Sequence, residues 1–593
     1  MNTSLVCGDE RPETSDVPTT AQPVVPKAEA DPSAPQEKDP ASEVPVTQEA
    51  AALIVAAGVD RLIEDVEYLL DIVQMSHLSQ VVQVGLNGAN GLAGIDRTRP
   101  WGMLLFLDPN DPHAEPVPLV FLPVDDVPKL IETAAKLNLH MKAVDAGTDG
   151  ETTSDTEHRY TIQLGEVAHP LVISGGYARL TRPGMRAVDA TPRQIRDLSD
   201  SLAQTYDLAI SVRRKGIPES LFQEASKKLT ADQERERMRK PNETDEAFAL
   251  RSRAEGAIFR SMFSILEQSQ GLLAGVSISS QDKSGQVEVL LQTSINGDLA
   301  KRLDEISLRQ RRFATVRQED AALSVLTGMR LSDEGVALGT QVIDLIRHEA
   351  KRQSIPDLTA DERERGLKAL DAIQSIISSR LLEGFAQFRS EPEEQFTLLV
   401  GLAVPQTEGL RISLETLLPK LSEAPNVTDV EVNVSAGEHL QLHRLKPAKI
   451  RSRDVRLYGD SAALYMGTGR QTAWFAVGGR ATPAKLIQRE EQAGRSLRVP
   501  LMNDTVTDTP DGTATTQPLV QLTAHAMAWL PLVEQEPGRN VRVGELLKSA
   551  FPNQESDDKL EATLTSTGSG LAFKLRLEEG YLRLAMRAVA ENR

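Results

Sequence analysis

Hydrophobic positions along this chain switch between a strand period and a helix period. From Ala51 to Ala57 no polar side chain interrupts the run, and a short apolar stretch bounded by a glycine predicts a buried strand. After Gly58 the spacing changes, because Val59, Leu62, Ile63, Val66, Leu69, Leu70 and Val73 recur on one side of a helix. Further strands are predicted near 102–107, 117–123, 158–164, 169–174, 176–181 and 206–213, and helices near 126–138, 192–204 and 217–229. Asp126 and Thr191 stand where N-caps belong, and Pro128 and Pro192 fall in first turns, where a missing N–H costs nothing.

The pattern is then written a second time, with corresponding motifs roughly three hundred residues apart, a spacing that means duplicated domains rather than a solenoid. Ala190-Thr-Pro-Arg-Gln-Ile195 returns as Ala481-Thr-Pro-Ala-Lys-Leu486, each after a strand-turn-strand segment, Leu171 to Leu180 and Leu464 to Phe475. Met103–Leu107 is matched with Thr397–Leu402, Pro128-Lys129-Leu130 with Pro419-Lys420-Leu421, and Ala51–Ala57 with Ala321–Leu326. The hairpin and helix from Val287 to Leu299 are matched with those from Leu571 to Leu582. Between the copies lies a helical region. The Asn242–Asp245 segment caps a helix through Phe248, Ile258, Met262, Phe263 and Leu266, and the Thr359–Glu362 capping box opens another through Leu367, Leu370, Ile373, Ile377 and Leu381.

Helices that alternate irregularly with strand pairs indicate an α+β fold, two tandem copies of a mostly antiparallel sheet covered by helices. The expected division is 1–47 as a disordered Pro-rich, acidic tether, 48–315 as the first copy and 316–593 as the second. Two polar stretches, 146–157 and 503–516, read as loop insertions.

Charge and composition narrow the function. The net charge is −19, and the most basic stretch, Arg235 to Lys240, is interleaved with Glu, so no nucleic-acid partner is expected. The aromatic share is only 4%, so the cores must be aliphatic. A single cysteine, Cys7, rules out an internal disulfide, and no apolar run is long enough for a transmembrane segment. Ser4-Leu-Val-Cys-Gly8 looks like the end of a signal peptide whose start lies upstream. With such a leader the protein is periplasmic, envelope-associated or secreted; without it, cytoplasmic.

Each candidate for chemistry has a plainer reading. The glycine-rich Gly85–Gly94 lacks the Lys-Ser/Thr of a phosphate loop and reads as a flexible connection. His439 and His443 share a strand face but have no third ligand, and an exposed strand face explains them. His525, Met527 and Trp529 read as one side of a strand over Leu519–Leu530. Gly459-Asp-Ser461 has neither a nucleophile elbow nor a base, and Asp504, Asp508 and Asp511 are not spaced as a calcium loop. What remains is Ile95 to Gly102, where Asp96 stands ready to hold Arg97 or Arg99, and Trp101 offers a stacking face. Arg97, Arg99 and Trp101 are therefore the candidate ligand-binding residues, suited to an anionic or sugar-like ligand. No catalytic residue, metal site or cofactor is expected.

The segment Leu53 to Leu70, the turn Asp96 to Gly102, Phe121–Asp126 before a helix, and the closing Glu578–Arg583 hairpin together resemble large, mostly uncharacterised proteins encoded in many copies by planctomycete-type bacteria. The resemblance spans residue 51 to the end and implies export, with no catalytic residues carried over. The function expected is a non-enzymatic binding or scaffold protein of the bacterial cell envelope, with an unknown protein or envelope component as partner. The alternative is a hydrolase or sugar-processing enzyme with a carboxylate site in the cleft between the copies.

Overall fold

Alternating aliphatic residues build strands wherever one side chain in two can be buried, and the chain does this at intervals along its described length, with helices between. The computed structural model describes residues 49–591 except 109–110, 112–114, 145–156, 184–189, 237, 240–242, 295–296, 308–311, 353–357, 391–395, 423–425, 435, 438, 497–517, 535–540, 553–556 and 568–569. The tether, Cys7, most of the 146–157 loop and all of the 503–516 loop lie outside the described residues. Residues from Gln48 onward form one compact unit.

Ten strands come first: β1 (Ala52–Ala56), β2 (Trp101–Phe106), β3 (Val117–Pro123), β4 (Met141–Ala143), β5 (His158–Leu164), β6 (Val167–Ser174), β7 (Tyr177–Thr181), β8 (Leu208–Arg213), β9 (Ser269–Ser279) and β10 (Ser284–Thr293). The helices among and just after them are α1 (Val59–Ile72), α2 (His77–Gly88), α3 (Val127–Lys136), α4 (Pro192–Thr205), α5 (Glu219–Glu236), α6 (Asp245–Gln268) and α7 (Asp298–Glu305). A second series follows: β11 (Leu323–Arg330), β12 (Leu381–Ser390), β13 (Phe396–Ala403), β14 (Val427–Glu431), β15 (Ala436–Gly437), β16 (Leu440–Pro447), β17 (Ala463–Thr468), β18 (Thr472–Gly478), β19 (Val520–His525), β20 (Lys559–Thr567) and β21 (Gly570–Glu578). Its helices are α8 (Asp333–Arg352), α9 (Ala360–Leu367), α10 (Ala369–Ser379), α11 (Glu408–Leu421), α12 (Ser452–Tyr458), α13 (Thr482–Ser496), α14 (Leu530–Glu534), α15 (Val541–Ala550) and α16 (Glu579–Glu591). The fold is mixed α+β.

Every strand joins one antiparallel sheet, centred on the β10–β21 pair. Outward from β10 run β9, β8, β1, β2, β3, β7, β6, β5 and β4. Outward from β21 run β20, β19, β11, β12, β13, β18, β17, β16 and β14, with β15 also on β16. Read from the centre, the two series have the same order. Most of the segments matched in sequence fall at equivalent places: β1 and β11, the β6–β7 and β17–β18 turns, α4 and α13, β10 and β21. One match is out of step, because Met103–Leu107 lies in β2 whereas Thr397–Leu402 is β13, the counterpart of β3. Another is out of register, since Pro128 opens α3 while Pro419 sits in the last turn of α11.

The predicted caps form. Asp126 accepts the Lys129 N–H at 3.1 Å, and Thr191 and Thr359 each make a complete capping box. Several readings need correction. Gly85 and Gly88 belong to α2, not to a loop, and the strand through His525 ends there, with Met527–Trp529 forming a 3₁₀ turn. The helices expected between the copies lie inside them, because β8 pairs with β9 across α5 and α6, and β11 with β12 across α8 to α10. The segment opened by Thr359 breaks into α9 and α10, with Leu381 already in β12, and Glu579–Arg583 begins α16 rather than closing a hairpin.

One face of the sheet is covered by α4 and α13. Ile195 of α4 packs with Leu53, Val55, Leu104, Phe121 and Tyr177, and Leu486 and Ala493 of α13 with Phe385, Leu442 and Trp474. Each fully buried side chain of this size is worth about 2 kcal/mol. On the opposite face α3 covers β5 to β7, through Leu130 against Ile162, Leu171 and Ile173. Gln441 of β16 donates to Glu415 of α11 at 2.7 Å. In the middle strands of that face, alternate residues remain partly exposed.

Candidate functional site

The site forms where β1 gives way to α1. Gly58 is required there by close approach: a Cβ would lie 2.6 Å from the Thr98 carbonyl oxygen. The 96–99 turn is held from both sides. Asp96 Oδ1 accepts the Thr98 N–H at 3.1 Å and its hydroxyl at 2.7 Å. The Asp60 N–H donates to the Arg97 carbonyl at 3.2 Å, and the Arg97 guanidinium pairs with the Asp60 carboxylate at 2.5 Å. Upstream, Gly94 adopts φ +89° and its carbonyl accepts the N–H groups of Asp125 and Asp126, which ties the turn to the start of α3.

Between this turn, the first turns of α1 and the end of α4 is a cavity of about 620 Å³. Asp60, Arg61 and Glu64 line it from α1, Arg99 from the turn, Asp200 and Gln204 from α4. Its walls thus carry both signs of charge. The Arg99 guanidinium carbon lies 4.3 Å from the ring centroid of Tyr177, a cation–π stack, and Nη1 donates weakly to the Gly176 carbonyl at 3.4 Å. Arg99 Nη2 and Asp200 Oδ1 are buried atoms without a hydrogen-bond partner among the described residues.

A second layer of charge lies beside the cavity. Arg61 Nε is 2.6 Å from Asp207 Oδ1, and its Nη1 donates to the carbonyls of Ala203 and Gln204. Asp207 is only 5% exposed, and its other oxygen accepts the Ile278 N–H at 2.5 Å. Asp65, one turn along α1 from Arg61, has a buried Oδ2 with no donor among the described residues. Burial first, and then the Asp207 charge, push the Asp65 carboxyl up to about 7, with Arg61 opposing. One guanidinium cannot neutralise two carboxylates in a desolvated place, so the pair holds a proton near neutral pH.

The candidates chosen from sequence are separated by the fold. Arg99 lines the cavity. Arg97 stands one step behind, bound to Asp60 rather than Asp96. Trp101, 37% exposed, lies on the sheet face opposite to Gly102 and Leu104, which turn towards α4. Arg61, Asp65, Asp200 and Asp207 were not legible as a group. Arg61 and Asp65 carry one local signal, helical neighbours of opposite charge, and Asp207 a fainter one, a carboxylate at the mouth of an apolar strand.

Other polar clusters are of different kinds. His443 is fully buried on β16, not on an exposed strand face, and neither ring nitrogen has a partner among the described residues. Burial lowers its pKa, with Glu415 opposing. His525 Nδ1 lies 3.0 Å from Asp558 Oδ1, and this hydrogen bond raises its pKa against the effect of burial. Among the described residues no group of three His, Cys, Asp or Glu is placed to hold a metal ion, and no helix is long and apolar enough to cross a membrane.

No family model, curated protein or solved structure matches the chain.

Proposed function

We propose that the protein is a binding module whose cavity between α1, the 96–99 turn and α4 takes a small polar ligand rich in hydroxyl groups, a saccharide being the class that fits. One observation carries this reading: two residues that line the cavity, Arg99 and Asp200, each keep a buried polar atom, the donor Nη2 and the acceptor Oδ1, without a hydrogen-bond partner among the described residues. Buried polar groups are nearly always satisfied, so a pair left open around one cavity favours a ligand that supplies both partners. A hydroxyl donates and accepts at once. The equal strand order of the two series supports a duplicated ancestral unit, and the sequence of residues 1–47 supports a tethered module in the cell envelope.

Titration calorimetry with neutral, acidic and amino sugars tests the reading. Binding of one class, weakened about tenfold or more by Arg99→Ala and by Asp200→Asn, is the expected result, since a hydrogen bond to a charged group is worth roughly 1.5–3 kcal/mol. Sugar affinity unchanged in both variants would overturn it.

A further inference from the structure

We infer that the protein self-associates by packing the open apolar face of its sheet against the same face of a second copy. The register of the central strands defines that face. Ile54 of β1 stands beside Ile210 of β8, then Ala274 of β9, Val289 of β10, Phe573 of β21 and Leu564 of β20. The rows on either side are built alike, and from β2 to β20 they contain no charged side chain. Trp101, Leu208, Ile210, Leu272, Val276 and Phe573 are each more than a third exposed. The opposite face is the core under α4 at β1 and β2 and is polar at β10, β20 and β21, where Glu288 lies 3.2 Å from Lys574 and Glu561 accepts from Gln521 of β19. Strands already covered or charged on one side, with an uncharged apolar surface left on the other, have the patterning of a half-finished core.

Three features identify a second copy as the occupant. Its rows run alike across seven strands, so a twofold partner, presenting the same patch, meets it with the same uncharged apolar rows. Lacking charge, it brings no like charges together, although the chain as a whole carries −19. Its size is also adequate: seven strands about 4.8 Å apart and three outward residues about 6.7 Å apart give about 680 Å² per copy. Two copies then cover about 1,400 Å², within the range of stable interfaces. Residues 8–47, rich in Pro and acidic side chains, offer little apolar surface to cover it from within the chain.

Sedimentation equilibrium of the full chain between about 1 and 100 µM tests the inference. The expected mass is twice 64.7 kDa, falling to 64.7 kDa in Ile210→Asp and in Phe573→Asp, whereas Lys574→Ser on the opposite face leaves the dimer intact. Circular dichroism separates dissociation from unfolding. Should the aspartate variants not fold, hydrogen exchange of the wild type supplies the answer: dilution into the monomer range must raise exchange in β8, β9 and β21 and leave β5 and β16 unchanged. A wild type that stays monomeric throughout, with or without flotation on neutral phosphatidylcholine vesicles, overturns the inference, as does a dimer indifferent to both aspartates.

Discussion

Two large aromatic side chains occupy related positions in the two strand series, Tyr177 on β7 and Trp474 on β18, and both are buried under the covering helix. Their polar atoms are treated differently. The Trp474 indole N–H donates to Glu490 at 2.8 Å and to Thr472 at 3.1 Å, and Glu490 also takes the Thr472 hydroxyl and the Arg470 N–H. The Tyr177 hydroxyl has no partner among the described residues, and the ring is capped by Arg99, which is itself incompletely paired. Around Trp474 the polar network closes within the protein. Around Tyr177 a hydroxyl and part of the Arg99 guanidinium stay open beside a cavity, and that local contrast supports the ligand site proposed there.

The sharpest way to break this contrast is to truncate both aromatics' roles. Trp474→Ala opens a cavity and strands Glu490, and should cost about 4 kcal/mol in urea unfolding, while Tyr177→Phe removes a hydroxyl with no partner and should change stability by less than about 0.5 kcal/mol. Next comes Asp65. A carboxyl raised to about 7 binds its proton more tightly folded than unfolded, so its favourable contribution is complete below about pH 4 and lost as pH rises to 7. A full shift of three pH units corresponds to about 4 kcal/mol, which solvent screening at a half-exposed group reduces to about 1–2. Asp65→Asn should therefore stabilise the protein by that amount at pH 8 and leave it unchanged at pH 3.5.

The two histidines extend the comparison within the second series. His443, lowered by burial, gives stability that is complete above about pH 6.5 and falls as pH drops, whereas His525, raised by Asp558, gives stability that is complete below about pH 6.5 and fades as pH climbs through its folded value. Melting temperatures across pH 5–8 should show the acid-side loss reduced in His443→Leu and the alkaline-side loss reduced in His525→Gln. The smallest effect is expected where the two series agree. Asp60 pairs with Arg97 before β2, and Asp333 with Arg380 before β12, each fastening the helix after the first strand to the turn before the second. These pairs are exposed, so Arg97→Ala and Arg380→Ala should each cost only about 0.5 kcal/mol in thermal unfolding.

Much of the framework was legible because its signals are local. Caps at Asp126, Thr191 and Thr359 need only three or four consecutive residues, and each appears where expected. Strand order was not legible. β1 pairs with β2 and β8, and β10 with β21, through registers fixed by residues hundreds of positions apart. The shift in matching β2 with β13 has the same cause, since apolar runs such as Met103–Leu107 and Thr397–Leu402 look alike in any strand of a buried sheet. The site was half visible for a related reason. Arg99 announced itself beside Trp101 in a short polar turn, but Asp65 and Asp207 become neighbours only when α1 folds against the start of β8.

The central β10–β21 ladder also sets a timetable for biosynthesis. β10 is finished at Thr293, yet the strand that closes its outer edge begins only at Gly570, about 280 residues later. At the usual pace of translation that edge stays bare for on the order of 15–60 s. Throughout that interval the nascent first series offers an unpaired hydrogen-bonding edge beside an uncharged apolar face, a combination that invites pairing with another nascent chain. Correct assembly of this sheet is therefore a race between the ribosome and the neighbouring polypeptides, decided by how soon its last two strands emerge.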